Sequence, residues 1–193
     1  MRAKAVSRPA RVPAGANEEG DGVMVGEGPV DVDVYIDFQC PFCRHFEEVS
    51  GPVLDQLVAE NLITIIFHPL AFLDAMSTTR YSTRASAAAG CAADSGRFRD
   101  YVRALFADQP PEGGVGLDDQ QLVDIGAGVG MTEATFAACV HGGVHLDWPP
   151  YVTAWAVEHG VAGTPTVFVN SMAISPHPGL IRAAVHATAR TGA

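Results

Sequence analysis

The chain has 193 residues, a formal net charge of −10 and 48% hydrophobic residues. That length fits one domain, or one domain with a large insertion, and the apolar content is enough for a sizeable core. The acidic balance argues against nucleic acid or an anionic membrane surface as partner, and no run approaches the roughly 18 apolar residues that a bilayer span needs.

Residues 1–21 are rich in Arg, Pro, Gly, Ala and Glu and show no periodicity, which predicts a disordered, mobile tail. Arg2, Lys4, Arg8 and Arg11 are not followed by an apolar stretch, so they do not form a signal peptide as the chain stands. Read literally, this expects a cytoplasmic protein; prior removal of a leader gives the alternative, an extracytoplasmic one. Val23 to Val25 is a candidate short edge strand before a Gly-Glu-Gly-Pro turn.

Val30, Val32, Val34, Ile36 and Phe38 alternate with Asp31, Asp33, Tyr35 and Asp37, the period-2 pattern of a strand. Its three aspartates share one face, which fits poorly with a strand covered on both sides; Asp31 and Asp33 are assigned to its exposed start. Pro41 occupies what would be the first helical position, where proline is favoured. Cys40 then sits at the helix N-cap and Cys43 one turn further in. A helix N-terminus stabilises a thiolate through its partial charge and free N–H groups. Cys40 is therefore expected to be the reactive thiol of low pKa, with Cys43 its buried partner within disulfide reach. The competing readings are a zinc half-site or two unremarkable thiols. Zinc usually takes four ligands, but Cys91 and Cys139 stand alone in the sequence and His141 and His145 are not followed by a matching pair. Redox chemistry is the preferred reading, and no metal is expected.

Phe42, Phe46, Val49, Val53, Leu57 and Val58 continue at helical spacing, and Gly51-Pro52 predicts a kink or break near Ser50. Residues 62–67 are apolar and β-branched, a second buried strand ended by His68-Pro69. Residues 74–160 contain no convincing strand. Ser86 to Ala93 suits a closely packed helix, and Phe98, Tyr101, Val102, Leu105 and Phe106 mark an amphipathic one. Gln109 to Gly116 is a Pro/Gly loop and Leu117 to Val129 a weaker helix. Thr132 is expected to cap a short helix, and Pro149-Pro150 opens another that ends at Gly160. Residues 167–174 form a hairpin through Asn170-Ser171, and a last helix runs from about Gly179 to Thr188. The order is β-α-β, a helical insert, then β-β-α. It divides the chain into a tail (1–21), a first half of the sheet domain (22–73), a helical insertion (74–160) and a second half (161–193).

Asp37-Phe38-Gln39-Cys40-Pro41-Phe42-Cys43 and, far downstream, Gly163-Thr164-Pro165-Thr166-Val167 resemble the active site and the cis-proline loop of the thioredoxin-fold family, most closely its DsbA-like branch. The resemblance covers about Val23 to Ala187. It implies an α/β thioredoxin fold with a helical insertion, catalysis at Cys40 and Cys43, and a cis bond before Pro165. That loop would offer the Thr164 backbone to an extended substrate strand and block metal capture by the two thiols, with Pro41 and Phe42 also in the substrate-binding set. Some relatives carry a second, structural disulfide tying two insert helices. Cys91 and Cys139 are similarly placed, the alternative being two buried free thiols; such a bond favours an oxidising compartment, in conflict with the missing leader.

The chain also departs from the pattern. Thioredoxin's buried acid, six residues before its first active-site cysteine, is replaced by Val34. Asp37 is the nearest acid, either a proton relay or simply solvated. DsbA itself has a His between its cysteines where this chain has Pro41-Phe42, so a milder potential is expected, roughly −240 to −150 mV. His45 reads as a solvated helix residue. The expected function is protein thiol–disulfide exchange through a mixed disulfide at Cys40, with no organic cofactor or metal. Protein thiols or disulfides would be the substrates and an unidentified redox partner would recycle the enzyme. The alternative is a substrate-binding or chaperone-like module with little redox turnover. A glutathione-dependent isomerase relative would carry Ser in place of Cys40.

Overall fold

The alternation of Val30, Val32, Val34 and Ile36 with Asp31, Asp33 and Tyr35 is realised in strand β2 (Val30–Ile36), whose four aliphatic side chains are all buried. The computed structural model describes residues 7–191. In it β2 is the centre of a five-stranded mixed sheet. It pairs in parallel with β3 (Ile63–Pro69) and antiparallel with β4 (Thr166–Val169). β1 (Val23–Val25) lies antiparallel on the outside of β3, and β5 (Met172–Ile174) on the outside of β4. The parallel register sets Val34 opposite Phe67 and Tyr35 opposite His68, so each pair shares a face. The Val34–Phe67 face packs beneath helices α1 (Pro41–Ala59), α3 (Phe98–Ala107) and α7 (Pro178–Thr191). The Tyr35–His68 face is covered by residues of the N-terminal segment and by α6 (Trp148–Glu158).

Helix α1 is continuous from Pro41 to Ala59 with Pro52 inside it, so of the kink or break expected near Ser50 the break does not occur. Proline removes one backbone donor, but Phe46, Ser50, Leu54 and Leu57 are buried on both sides of it and hold the helix to the sheet. Ser50 also donates its hydroxyl to the Pro176 carbonyl at 3.0 Å. The buried face differs from the expected stripe. Phe42 and Val49 point outward, 71% and 43% exposed.

Between β3 and β4 every element is helical: a short 3-10 turn (Asp74–Met76), then α2 (Tyr81–Asp94), α3, α4 (Asp119–Gly128), α5 (Ala134–His141) and α6. The small residues of α2, among them Ala85, Ala88, Ala89 and Ala92, are buried. Asp118 and Gln121 form a reciprocal capping box at the start of α4. α5 is capped at Glu133 without a side-chain bond, so Thr132 does not serve as the cap that its sequence position suggested. Asn170 and Ser171 join β4 to β5 with φ of 44° and 64°, the paired left-handed conformations of a type I′ turn.

Residues 1–6 of the expected tail lie outside the described residues. From Val12 onward the segment is held against the fold and is not a mobile tail. Ala16 bridges to Val23, Trp148 Nε1 donates to the Gly20 carbonyl at 2.8 Å, and Tyr151 donates to the Glu19 carbonyl at 2.8 Å. Asp21 is buried against His68. The fixing contacts are single polar bonds to residues far along the chain, which leave no periodic trace in the segment itself.

Candidate active site

β2 ends at Ile36, and the four-residue loop 37–40 delivers Cys40 to the N-cap of α1 in an extended conformation (φ −76°, ψ 118°), with Pro41 next. The loop is tied from within and from the insertion. Asp37, fully buried, accepts from Gln39 N (2.9 Å), Leu73 N (2.9 Å) and Ser82 Oγ (2.7 Å). Gln109 Nε2 donates to the carbonyls of Phe38 (2.9 Å) and Cys40 (3.0 Å). Phe38 packs on Phe106 of α3, with ring centroids 5.1 Å apart.

Cys40 and Cys43 are present as thiols. Their environments push them in opposite directions. The Cys40 pKa is lowered to about 6, chiefly by its hydrogen bond with Cys43, with Thr164 and the N–H groups of Cys43 and Phe42 adding to it against the opposing effect of burial. Burial raises the Cys43 thiol well above its ordinary range, and its bond with Cys40 adds to that. Cys43 is wholly inaccessible, with Asp37 N 3.5 Å from its sulfur. Cys40, 5% exposed, lies at the surface edge, its Sγ 3.5 Å from the Thr164 carbonyl. The Thr164–Pro165 peptide is cis.

Beside the thiols runs a groove of about 340 Å³, walled by Phe42, Phe46, Val49, Pro165, Pro176 and Pro178. It is largely apolar and opens to solvent. Phe42, Thr164, Pro165 and Cys40 thus meet, as expected from the two motifs. Pro41 lies exposed at the head of the helix. Cys91 and Cys139 lie elsewhere, in α2 and α5, and are bonded to each other (S–S 2.06 Å).

The structure also assigns positions that the sequence left open. Asp37 is not solvated; its carboxylate organises the loop, and burial raises its pKa despite the three donors. Gln109 had no distinguishing signal, since its loop was recognisable only by its prolines and glycines. His45 is exposed, as a solvated helix residue would be.

A CxxC at a strand–helix junction, abutted by a cis-proline loop and joined by a helical insertion, defines the class of thioredoxin-fold redox proteins. Residues 19–182 match the family model described as thioredoxin, Thioredoxin_4. The chain belongs to the thioredoxin-fold family and, within it, to the DsbA-like thiol–disulfide oxidoreductases. It is similar to reduced DsbG from Mycobacterium tuberculosis (32% identity, 80% of each chain covered, TM-score 0.70). It is also similar to oxidised DsbA from M. tuberculosis (30% identity, covering 86% of this chain and 99% of that one, TM-score 0.71). Among curated proteins it matches the serine/threonine-protein kinase PknE of M. tuberculosis, 32% identical over 168 residues. That match covers 80% of this chain but only 30% of the kinase.

Proposed function

We propose that the protein exchanges disulfides with protein substrates through a mixed disulfide at Cys40. In the oxidising direction a substrate thiolate attacks Cys40 Sγ, the Cys40–Cys43 bond breaks, and Cys43 leaves and takes a proton. A second substrate thiolate then attacks the substrate sulfur of the mixed disulfide and releases Cys40 as thiolate. The substrate has lost two electrons and the protein has gained them. The reducing direction runs the same steps backwards, with Cys40 as nucleophile and Cys43 as resolving thiol.

The observation that carries this reading is the contrast between the two cysteines: Cys40 at the helix N-cap and held near pKa 6, Cys43 buried beneath it with its pKa raised. A thiol of low pKa is largely thiolate at neutral pH and leaves readily. The groove beside it suits an extended segment carrying an apolar side chain, and the Thr164 carbonyl lies beside Cys40 to pair with such a strand. The chemistry requires no metal or organic cofactor, only a redox partner that restores the working state of the pair. The Cys91–Cys139 bond supports work in an oxidising compartment.

Insulin reduction in the presence of a dithiol separates this function from that of a binding module on the same fold. The exchange reading expects B-chain precipitation faster than the uncatalysed rate, and no acceleration after Cys40→Ser. A wild-type rate no greater than the uncatalysed one would leave only a binding role.

A further inference from the structure

Away from the Cys40–Cys43 pair, the fold gathers a second set of sulfur and nitrogen groups. Cys91 is on α2, Cys139 on α5 and His145 in the turn between α5 and α6. The two sulfurs and a ring nitrogen of His145 all lie within 4.8 Å of one another. Nothing in the spacing of these three residues along the chain announces the cluster.

His145 is 2% exposed. Its Nε2 lies 2.7 Å from Asp94 Oδ2, whereas its Nδ1 is buried with no hydrogen-bond partner. A buried polar atom left without a partner carries a desolvation cost and calls for an explanation. In a neutral imidazole, donation from Nε2 to a carboxylate leaves the lone pair on Nδ1. A carboxylate that fixes the tautomer and orientation of a histidine is the usual outer partner of a metal-binding imidazole. Nδ1 is thus a ligand atom without a partner, on an imidazole that stands beside two sulfurs unable to take up a metal while they are bonded to each other.

We propose that Cys91, Cys139 and His145 form a redox-gated site for a thiophilic divalent cation, zinc foremost, closed in the disulfide form and open in the dithiol form. The gate is a balanced exchange. A dithiol reductant gives two electrons and two protons to the Cys91–Cys139 bond and becomes a disulfide itself, leaving two cysteine thiols. The cation then binds both as thiolates, releases their two protons, and takes Nδ1 of His145 as its third ligand. Two thiolates and an imidazole match the ligand preferences of zinc, with bonds of about 2.3 Å to sulfur and about 2.0 Å to nitrogen. The Cα atoms of the two cysteines are 5.9 Å apart, so both sulfurs can reach one ion. A cavity of about 60 Å³ borders Cys91, Cys139 and His145 and has room for a water as fourth ligand. Arg84 also lines this cavity, but its guanidinium is paired with Asp119 at 2.9 Å. Asp94, half-exposed, adds a further negative group behind the imidazole.

The test uses the full chain carrying Cys40→Ser and Cys43→Ser, so that the other thiol pair cannot bind metal. The protein is reduced with a phosphine under anaerobic conditions and titrated with Co2+ as optical probe. The proposal expects one equivalent bound, with sulfur-to-cobalt charge-transfer bands and the intense visible bands of a tetrahedral ion, both bleached by Zn2+. The unreduced protein should show neither. Adding His145→Gln removes the nitrogen ligand and should weaken Co2+ binding by at least about tenfold. Asp94→Asn, altered outside the ligand set, should keep the sulfur bands and still weaken binding. Reduced protein without these bands, affinity unchanged in both variants, or loss of the far-ultraviolet helical signal on reduction before metal is added would each overturn the proposal.

Discussion

A thiol at a helix N-cap is subject to opposing effects: burial disfavours its charged form, while N–H groups and a neighbouring thiol favour it. At Cys40 the second group wins. Ultraviolet titration of the thiolate in the reduced protein should therefore give a midpoint near 6, more than two units below a free cysteine at about 8.5. A midpoint at or above that reference value would mean that the N-cap does not activate Cys40. This residue was legible because its chemistry follows from local order alone: a strand, then a cysteine, then a proline at the first helical position. Asp37 was not. Its neighbours in sequence mark it as one more strand aspartate, whereas its three donors come from Gln39, Leu73 and Ser82. Two of those lie in the connection after β3 and in α2, and no periodicity in one segment can reveal a bond to another.

Among the elements, those held by an apolar stripe were readable and those held by isolated polar contacts were not. Helix α3 shows its stripe of Phe98, Tyr101, Val102, Leu105 and Phe106, and all five side chains are buried. Pro52 misled in the other direction, because local propensity yields where a helix has a long buried face. The link between α2 and α5 is covalent, closing a sequence separation of 48 residues. Chain entropy assigns such a loop a stabilisation of about 4 kcal/mol. A Cys91→Ala/Cys139→Ala variant should accordingly be less stable by that order, with its m-value raised because the unfolded chain is no longer cross-linked. A loss below about 1 kcal/mol would show that the loop is already confined by the packing of α2 on α5.

For the molecule as a whole, the N-terminal segment meets the middle of the sheet at a buried histidine. His68 stacks on Tyr35 with ring centroids 4.1 Å apart, and its nitrogens face Asp21 and Asp33 at 3.3 and 3.1 Å. Burial alone would lower its pKa, but the hydrogen bonds and charges of the two aspartates outweigh that and raise it to about 9. The sign follows from linkage. A histidine whose folded pKa exceeds its unfolded value of 6.5 contributes its full stability below pH 6.5 and loses it as pH rises through about 9. The Cys40 thiol, lowered to about 6, acts with the opposite sign in the same window, so the measurement uses the protein with Cys40 and Cys43 bonded, where neither titrates. Its denaturant unfolding should weaken across that window by on the order of 3 kcal/mol, and His68→Gln should flatten the slope. A stability of the bonded protein independent of pH between 6.5 and 9 would show that the histidine is neutral in the fold.

The two sheet halves, the insertion and the cis-proline loop together present one sulfur, that of Cys40, at the edge of an open groove. The most direct measurement is capture of a mixed disulfide. Cys43→Ser, mixed with a protein substrate that contains disulfides, should accumulate a reductant-sensitive covalent adduct, and peptide mass mapping should place it at Cys40. Cys40→Ser should accumulate none. An adduct at another cysteine, or no adduct with Cys43→Ser under conditions where the wild type turns over, would contradict the assignment of Cys40 as the exchanging thiol.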